Sequence, residues 1–187
     1  MYWFKTPFNG LKLIFCLMIC ISVLAACRPD VQVNGAKRFF DLKSFVNADS
    51  ARLIKNHAVV SKTVWHNESA PQTKQITVSN WGQELSSFAA SDINKPAWRD
   101  SYKIQNQGDS VVYTAIDPHL ITRRMVVHTV NGQVKRIRVD NFTENLLYKT
   151  SEKLTYFPDS LYLIDKLQQV KLMGANHYVI KGLIQKF

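Results

Sequence analysis

The sequence predicts an α+β domain: one large curled antiparallel β-sheet of about nine strands, mostly a meander, with two helices packed on it. Three observations carry that prediction. Runs rich in Val, Thr and Ile alternate with turn residues at short intervals over most of residues 58–184. Asn131-Gly132 sits between two such runs and favours a two-residue hairpin turn. Only two stretches place apolar residues at helical spacing. A sheet this wide twists and curls, and apolar helix faces would pack into its concavity or against one face.

The first helix is predicted over residues 41–56, where Leu42, Phe45, Val46, Leu53 and Ile54 recur close to helical spacing. Strands at 58–65 and 72–79 follow, joined by a hairpin through His66 and Pro71. The second helix begins at Asn80, which forms a capping-box-like pair with Gln83, and Trp81, Leu85, Phe88 and Ala89 share one face. It ends near Asp92, ahead of Asn94 and Pro96.

Strands at 101–107 and 110–117 flank Gly108, and strands at 121–130 and 133–140 flank Asn131-Gly132. Counting back from Val130 opposite Gln133 pairs Val126 with Ile137 and Arg124 with Val139 on one surface. On the other it pairs Val127 with Arg136 and Met125 with Arg138. Three last strands, at 145–157, 161–173 and 177–184, are linked by turns at 158–160 and 174–176.

Composition narrows the class. The chain has 187 residues, 46% hydrophobic and 20% charged, with 7 Gly and 6 Pro, which excludes a disordered tail and a fibrous or low-complexity chain. Lys and Arg number 24 against 14 Asp and Glu, a net charge of +10. In an envelope setting the anions to consider are lipid headgroups, lipopolysaccharide and acidic glycans, with no role for nucleic acid.

The first twelve residues carry Lys5 and Lys12 and no acid, and residues 13–26 are fourteen uncharged, mostly apolar residues. As a helix that run would span about 21 Å, short of the roughly 30 Å of bilayer hydrocarbon. It ends in Leu24-Ala25-Ala26-Cys27. That tetrapeptide, directly after the apolar run, closely resembles the lipobox of bacterial lipoproteins. The resemblance implies a signal peptide over 1–26, lipidation of Cys27, a short tether over 27–38 and one domain over 39–187. Cys16 and Cys20 fall in the segment to be removed, which leaves no partner for an internal disulfide.

The overall pattern resembles Bacteroidota envelope lipoproteins. A curled antiparallel sheet with helices also resembles, in architecture alone, carriers and receptors of the LolA and LolB type. These resemblances imply a lipid-anchored protein of the outer membrane facing the periplasm, since Arg28 follows the cysteine where a retention signal would place an aspartate. The expected partners are the membrane through Cys27 and a lipid or an outer-membrane protein.

No catalytic site is expected. The five histidines, His57, His66, His119, His128 and His177, show no ligand spacing, so no metal site is predicted. There is no nucleophile elbow, phosphate loop or paired carboxylate, hence no cofactor. Asp117-Pro118-His119 is the one acid and histidine pair, and it suits a turn better than a hydrolase. The candidate ligand-binding group is Arg123, Arg136 and Arg138 beside Met125 and Val127, where guanidinium forks meet apolar side chains. Trp98, in a polar loop, is a candidate contact residue. Ser50, Ser110 and Ser160 each follow an aspartate and precede a small or aliphatic residue, a pattern resembling the O-glycosylation motif of Bacteroidota envelope proteins.

The function these features predict is non-enzymatic: an envelope lipoprotein that binds an amphiphilic ligand or a partner through a sheet face. The alternative is a structural or assembly subunit docking on an outer-membrane protein.

Overall fold

The computed structural model describes residues 37–185. The signal segment and Cys27 lie outside the described residues, as does the tether up to residue 36. The described chain is α+β, as predicted, with nine antiparallel strands in one open sheet.

Helix α1 (Leu42–Lys55) begins where the Asp41 carboxylate accepts the Ser44 N–H at 3.1 Å. Strands β1 (Val59–His66) and β2 (Gln72–Thr77) form the first hairpin. The predicted second helix is two short pieces, α2 (Trp81–Glu84) and α3 (Ser86–Ala90), broken at Leu85 (φ −97°, ψ 13°). Gly82 and the Ser86-Ser87 pair are weak helix formers, and the break lets Trp81, Leu85 and Phe88 all reach full burial. Asn80 caps α2 as expected, accepting the Gln83 N–H at 3.0 Å.

The meander follows: β3 (Tyr102–Gln107), β4 (Ser110–Ala115), β5 (Thr122–Val130), β6 (Gln133–Glu144), β7 (Tyr148–Phe157), β8 (Leu161–Val170) and β9 (Gly174–Ile184). The sheet order is β2-β1-β9-β8-β7-β6-β5-β4-β3. The last strand therefore returns to pair with the first.

The Asn131-Gly132 turn has both φ values positive, 51° and 75°, and Val130 does face Gln133. The rest of that register is corrected by an irregularity between His128 and Thr129. It shifts the pairing by one residue, so Met125 faces Val139, Val127 faces Ile137, Val126 faces Arg138 and His128 faces Arg136. Apolar residues now face apolar residues inward, and Arg136 and Arg138 stand on the opposite face from Met125 and Val127.

Two cross-strand rows carry the core. One runs Tyr113, Met125, Val139, Leu154, Ile164; the other runs Val127, Ile137, Tyr156, Tyr162 and ends on Gly182. Leu42, Val46 and Leu53 of α1 join Trp81, Leu85 and Phe88 over these rows, and all six are fully buried. Two buried polar links stitch helix to sheet. The Tyr156 hydroxyl bonds Asp49, which also takes Arg52 Nε at 2.7 Å. The Tyr162 hydroxyl donates to Glu84 at 2.5 Å, and Lys62 Nζ closes on the same carboxylate at 2.6 Å.

Two hairpin tips differ from expectation. Asn145 accepts the N–H groups of Leu147 and Tyr148, both at 2.9 Å, so the turn falls at 145–147 instead of inside a strand. The β8–β9 turn falls at 171–173, ahead of Gly174, whose φ of +85° closes it.

Candidate functional site

The helices cover only part of the inward face. Toward the end of the sheet where β6 and β8 finish, the inward rows turn polar: Thr122, Asn141, Glu152, Lys166 and Tyr178, then Thr143, Thr150, Gln168 and Asn176. Alternation fixes this, because these residues keep the facing of Val139, Leu154 and Ile164 along the same strands.

An open basin of about 200 Å³ lies there, lined by Asn141, Thr143, Thr150, Glu152, Lys166 and Gln168, with Ile121 and Tyr148 at its edge. Asn141 is 9% exposed, and its Nδ2 donates to Ser91 Oγ at 2.8 Å and to Glu152 Oε2 at 2.9 Å. Its Oδ1 is buried and accepts no hydrogen bond among the described residues.

A larger open groove of about 830 Å³ lies at the β6–β7 and β8–β9 tips, lined by Leu146, Tyr148 and Val170 together with Glu144, Asn145, Lys149, Gln169 and Lys171, and it shares Tyr148 with the basin. The backbone N–H of Lys171 bonds the Leu147 carbonyl at 3.1 Å and holds the two tips side by side. The two differ in character, the basin lined mostly by polar side chains and the groove mixing apolar with charged ones.

The predicted ligand-binding residues do not form this site, nor any single site. Met125 is fully buried in the core. Arg136 and Arg138 point outward, and Arg123 lies over the Phe142 ring at 5.3 Å on the same outer side. Arg138 shares its outward row with Val126 and the buried Val112. Trp98 is half-buried against Tyr102 with ring centroids 6.4 Å apart, and Lys95 Nζ sits 3.9 Å from the centroid of its ring. Tyr102, which bonds the Thr122 carbonyl, has its hydroxyl pushed up to about 12 by burial.

Of the Asp-Ser motifs, Ser160 is exposed in the β7–β8 turn, and Ser110 is half-buried with Oγ 3.1 Å from His128 Nδ1. Ser50 lies within α1 and is buried, at 4% exposure. Asp117 accepts the His119 backbone N–H at 2.8 Å, which makes the pair a turn. Among the described residues, no group of three or more His, Cys, Asp or Glu could hold a metal ion. No helix among them is long and apolar enough to cross a membrane.

The basin residues were missed because each is a polar residue in a strand, the ordinary signature of a solvent-facing position. The signal was Asn141, Thr143, Glu152 and Lys166 falling in phase with core residues of their own strands. Comparison with protein-family models, with curated proteins and with solved structures finds no match.

Proposed function

We propose that this protein is a non-enzymatic, lipid-anchored envelope protein that binds an amphiphilic ligand in the basin and groove of its open sheet. The observation that carries the reading is a polar basin and a partly apolar groove that share Tyr148 at the open end of the sheet, with Lys171 and the Glu144–Lys149 ion pair lining the groove. The Leu24-Ala25-Ala26-Cys27 motif supports the anchor and the envelope location, with the outer membrane and its periplasmic face as the setting. Because the apolar half of the sheet is filled by helix side chains, the ligand is held at the open end and not swallowed in a central cavity.

The test is native mass spectrometry with lipid extraction on the domain secreted into a bacterial periplasm. A stoichiometric acyl-bearing species that is lost in Thr150→Trp or Gln168→Trp, and kept in Arg136→Glu/Arg138→Glu, supports the reading. A clean unliganded mass that also fails to take up added phospholipid refutes it. That result leaves the alternative, an assembly subunit docked on an outer-membrane protein.

A further inference from the structure

Four large apolar side chains stand almost bare at the two adjacent hairpin tips: Leu146 (84% exposed), Leu147 (71%), Leu172 (98%) and Met173 (81%). No other part of the described surface concentrates such residues. Ile116 (66%) and Ile121 (48%), in the β4–β5 connection, lie at the same end of the sheet, because β4 ends and β5 begins where β6 and β8 finish. Exposed apolar groups gathered at one end of a molecule mark a contact surface.

We infer that this end of the sheet seats on an anionic lipid bilayer, with the β6–β7 and β8–β9 tips inserted among the headgroups. Three observations select lipid as the occupant. The apolar tips are flanked by exposed Lys171 and by Lys149, whose Nζ pairs with Glu144 at 2.6 Å, in a chain that keeps 22 basic against 14 acidic residues once 1–26 is removed, so apolar burial and attraction to anionic headgroups act at one place. The apolar residues protrude singly from narrow turns, whereas a stable protein partner needs a matched surface of about 800 Å² a side. The chain also enters the domain at this end: Arg38 pairs with Asp100, just ahead of β3, whose first residue Tyr102 faces Ala115 at the end of β4.

Ten residues, 28–37, lie between Cys27 and Arg38, a reach of no more than about 40 Å when fully extended. An anchor at Cys27 therefore holds this end within about 40 Å of the bilayer. That orientation rests on the anchor reading; the apolar tips and lysines do not. Seated in this way, the groove would open at the membrane surface, where its ligand would be exchanged.

The test incorporates an environment-sensitive fluorescent amino acid at position 172, 147 or 131 of the full chain. The purified proteins are mixed with vesicles of phosphatidylethanolamine and phosphatidylglycerol. The inference expects a blue shift at 172 and 147 and several-fold stronger quenching there by nitroxide-labelled lipid than at 131, which sits on the opposite end of the sheet. It expects Lys149→Glu/Lys171→Glu to weaken the shift, as high salt does. Equal, water-like emission at all three positions on vesicle-bound protein overturns it, and so does a shift at 172 that appears without vesicles and is unchanged by them. Extraction of a bound lipid in the mass experiment is unaffected by either outcome, so the two readings fail separately.

Discussion

The ring of Tyr162 lies directly over Gly182 on the neighbouring strand, in the space a Cβ at position 182 would occupy. The ring is fully buried, edge-on to Trp81 at 6.3 Å, and its hydroxyl reaches Glu84. One aromatic thus joins β8, β9 and α2, and it does so only because β9 carries no side chain beneath it.

Gly182→Ala is therefore expected to destabilise the domain by about 1–3 kcal/mol, since the displaced ring has a packed core behind it. Urea unfolding followed by tryptophan fluorescence measures it. Gly132→Ala is the useful contrast: nothing lies within 4 Å of a Cβ there, so its cost comes from the positive φ alone.

The Glu84 link should be strongly directional. Glu84→Ala removes the acceptor from Tyr162 and the partner of Lys62 together, leaving two polar groups short of a bond, at a cost of about 1–3 kcal/mol. A Glu84→Ala/Tyr162→Phe double variant should cost less than the sum of the singles, and a thermodynamic cycle from chemical denaturation reads the difference.

Stability should fall in alkali. Burial, reinforced by Asp49, raises the Tyr156 hydroxyl far above its ordinary value, and burial with Glu84 does the same for Tyr162; burial also raises Tyr113, and takes Tyr102 to about 12. A raised folded-state value means the unfolded chain loses the proton first. The contribution is complete below about pH 10, where a free tyrosine titrates, and is lost as the pH climbs from there toward and beyond 12. Tyr102→Phe should flatten the first part of that decline in a denaturation series from pH 9 to 12.

Cys27→Ser should abolish incorporation of radiolabelled palmitate and leave an unprocessed, larger species in a gel. Labelling that persists in the variant would move the anchor elsewhere.

How far the sequence could be read varies with the physics behind each element. Asn131-Gly132 was legible because positive φ at two adjacent positions suits few residue pairs. The cap at Asn80 was legible for a similar local reason. The irregularity at His128 and Thr129 was not, because it depends on which face the helices bury, and it reversed the facing of Arg136 and Arg138 relative to Met125. Leu172 and Met173 were read as strand because apolar residues usually mean burial, yet Gly174 places them at a tip. The candidate site was illegible for both reasons together: its polar members hide in strand interiors, and its apolar members stand at strand ends and in a turn.

The measurement that bears most directly on the central claim is photocrosslinking in the native envelope, with a benzophenone amino acid at position 168 in the basin or 138 on the outer face. The account predicts a lipid-mass adduct at 168 and none at 138. A lipid adduct at 138 alone, or protein adducts at both positions and no lipid at either, would contradict it.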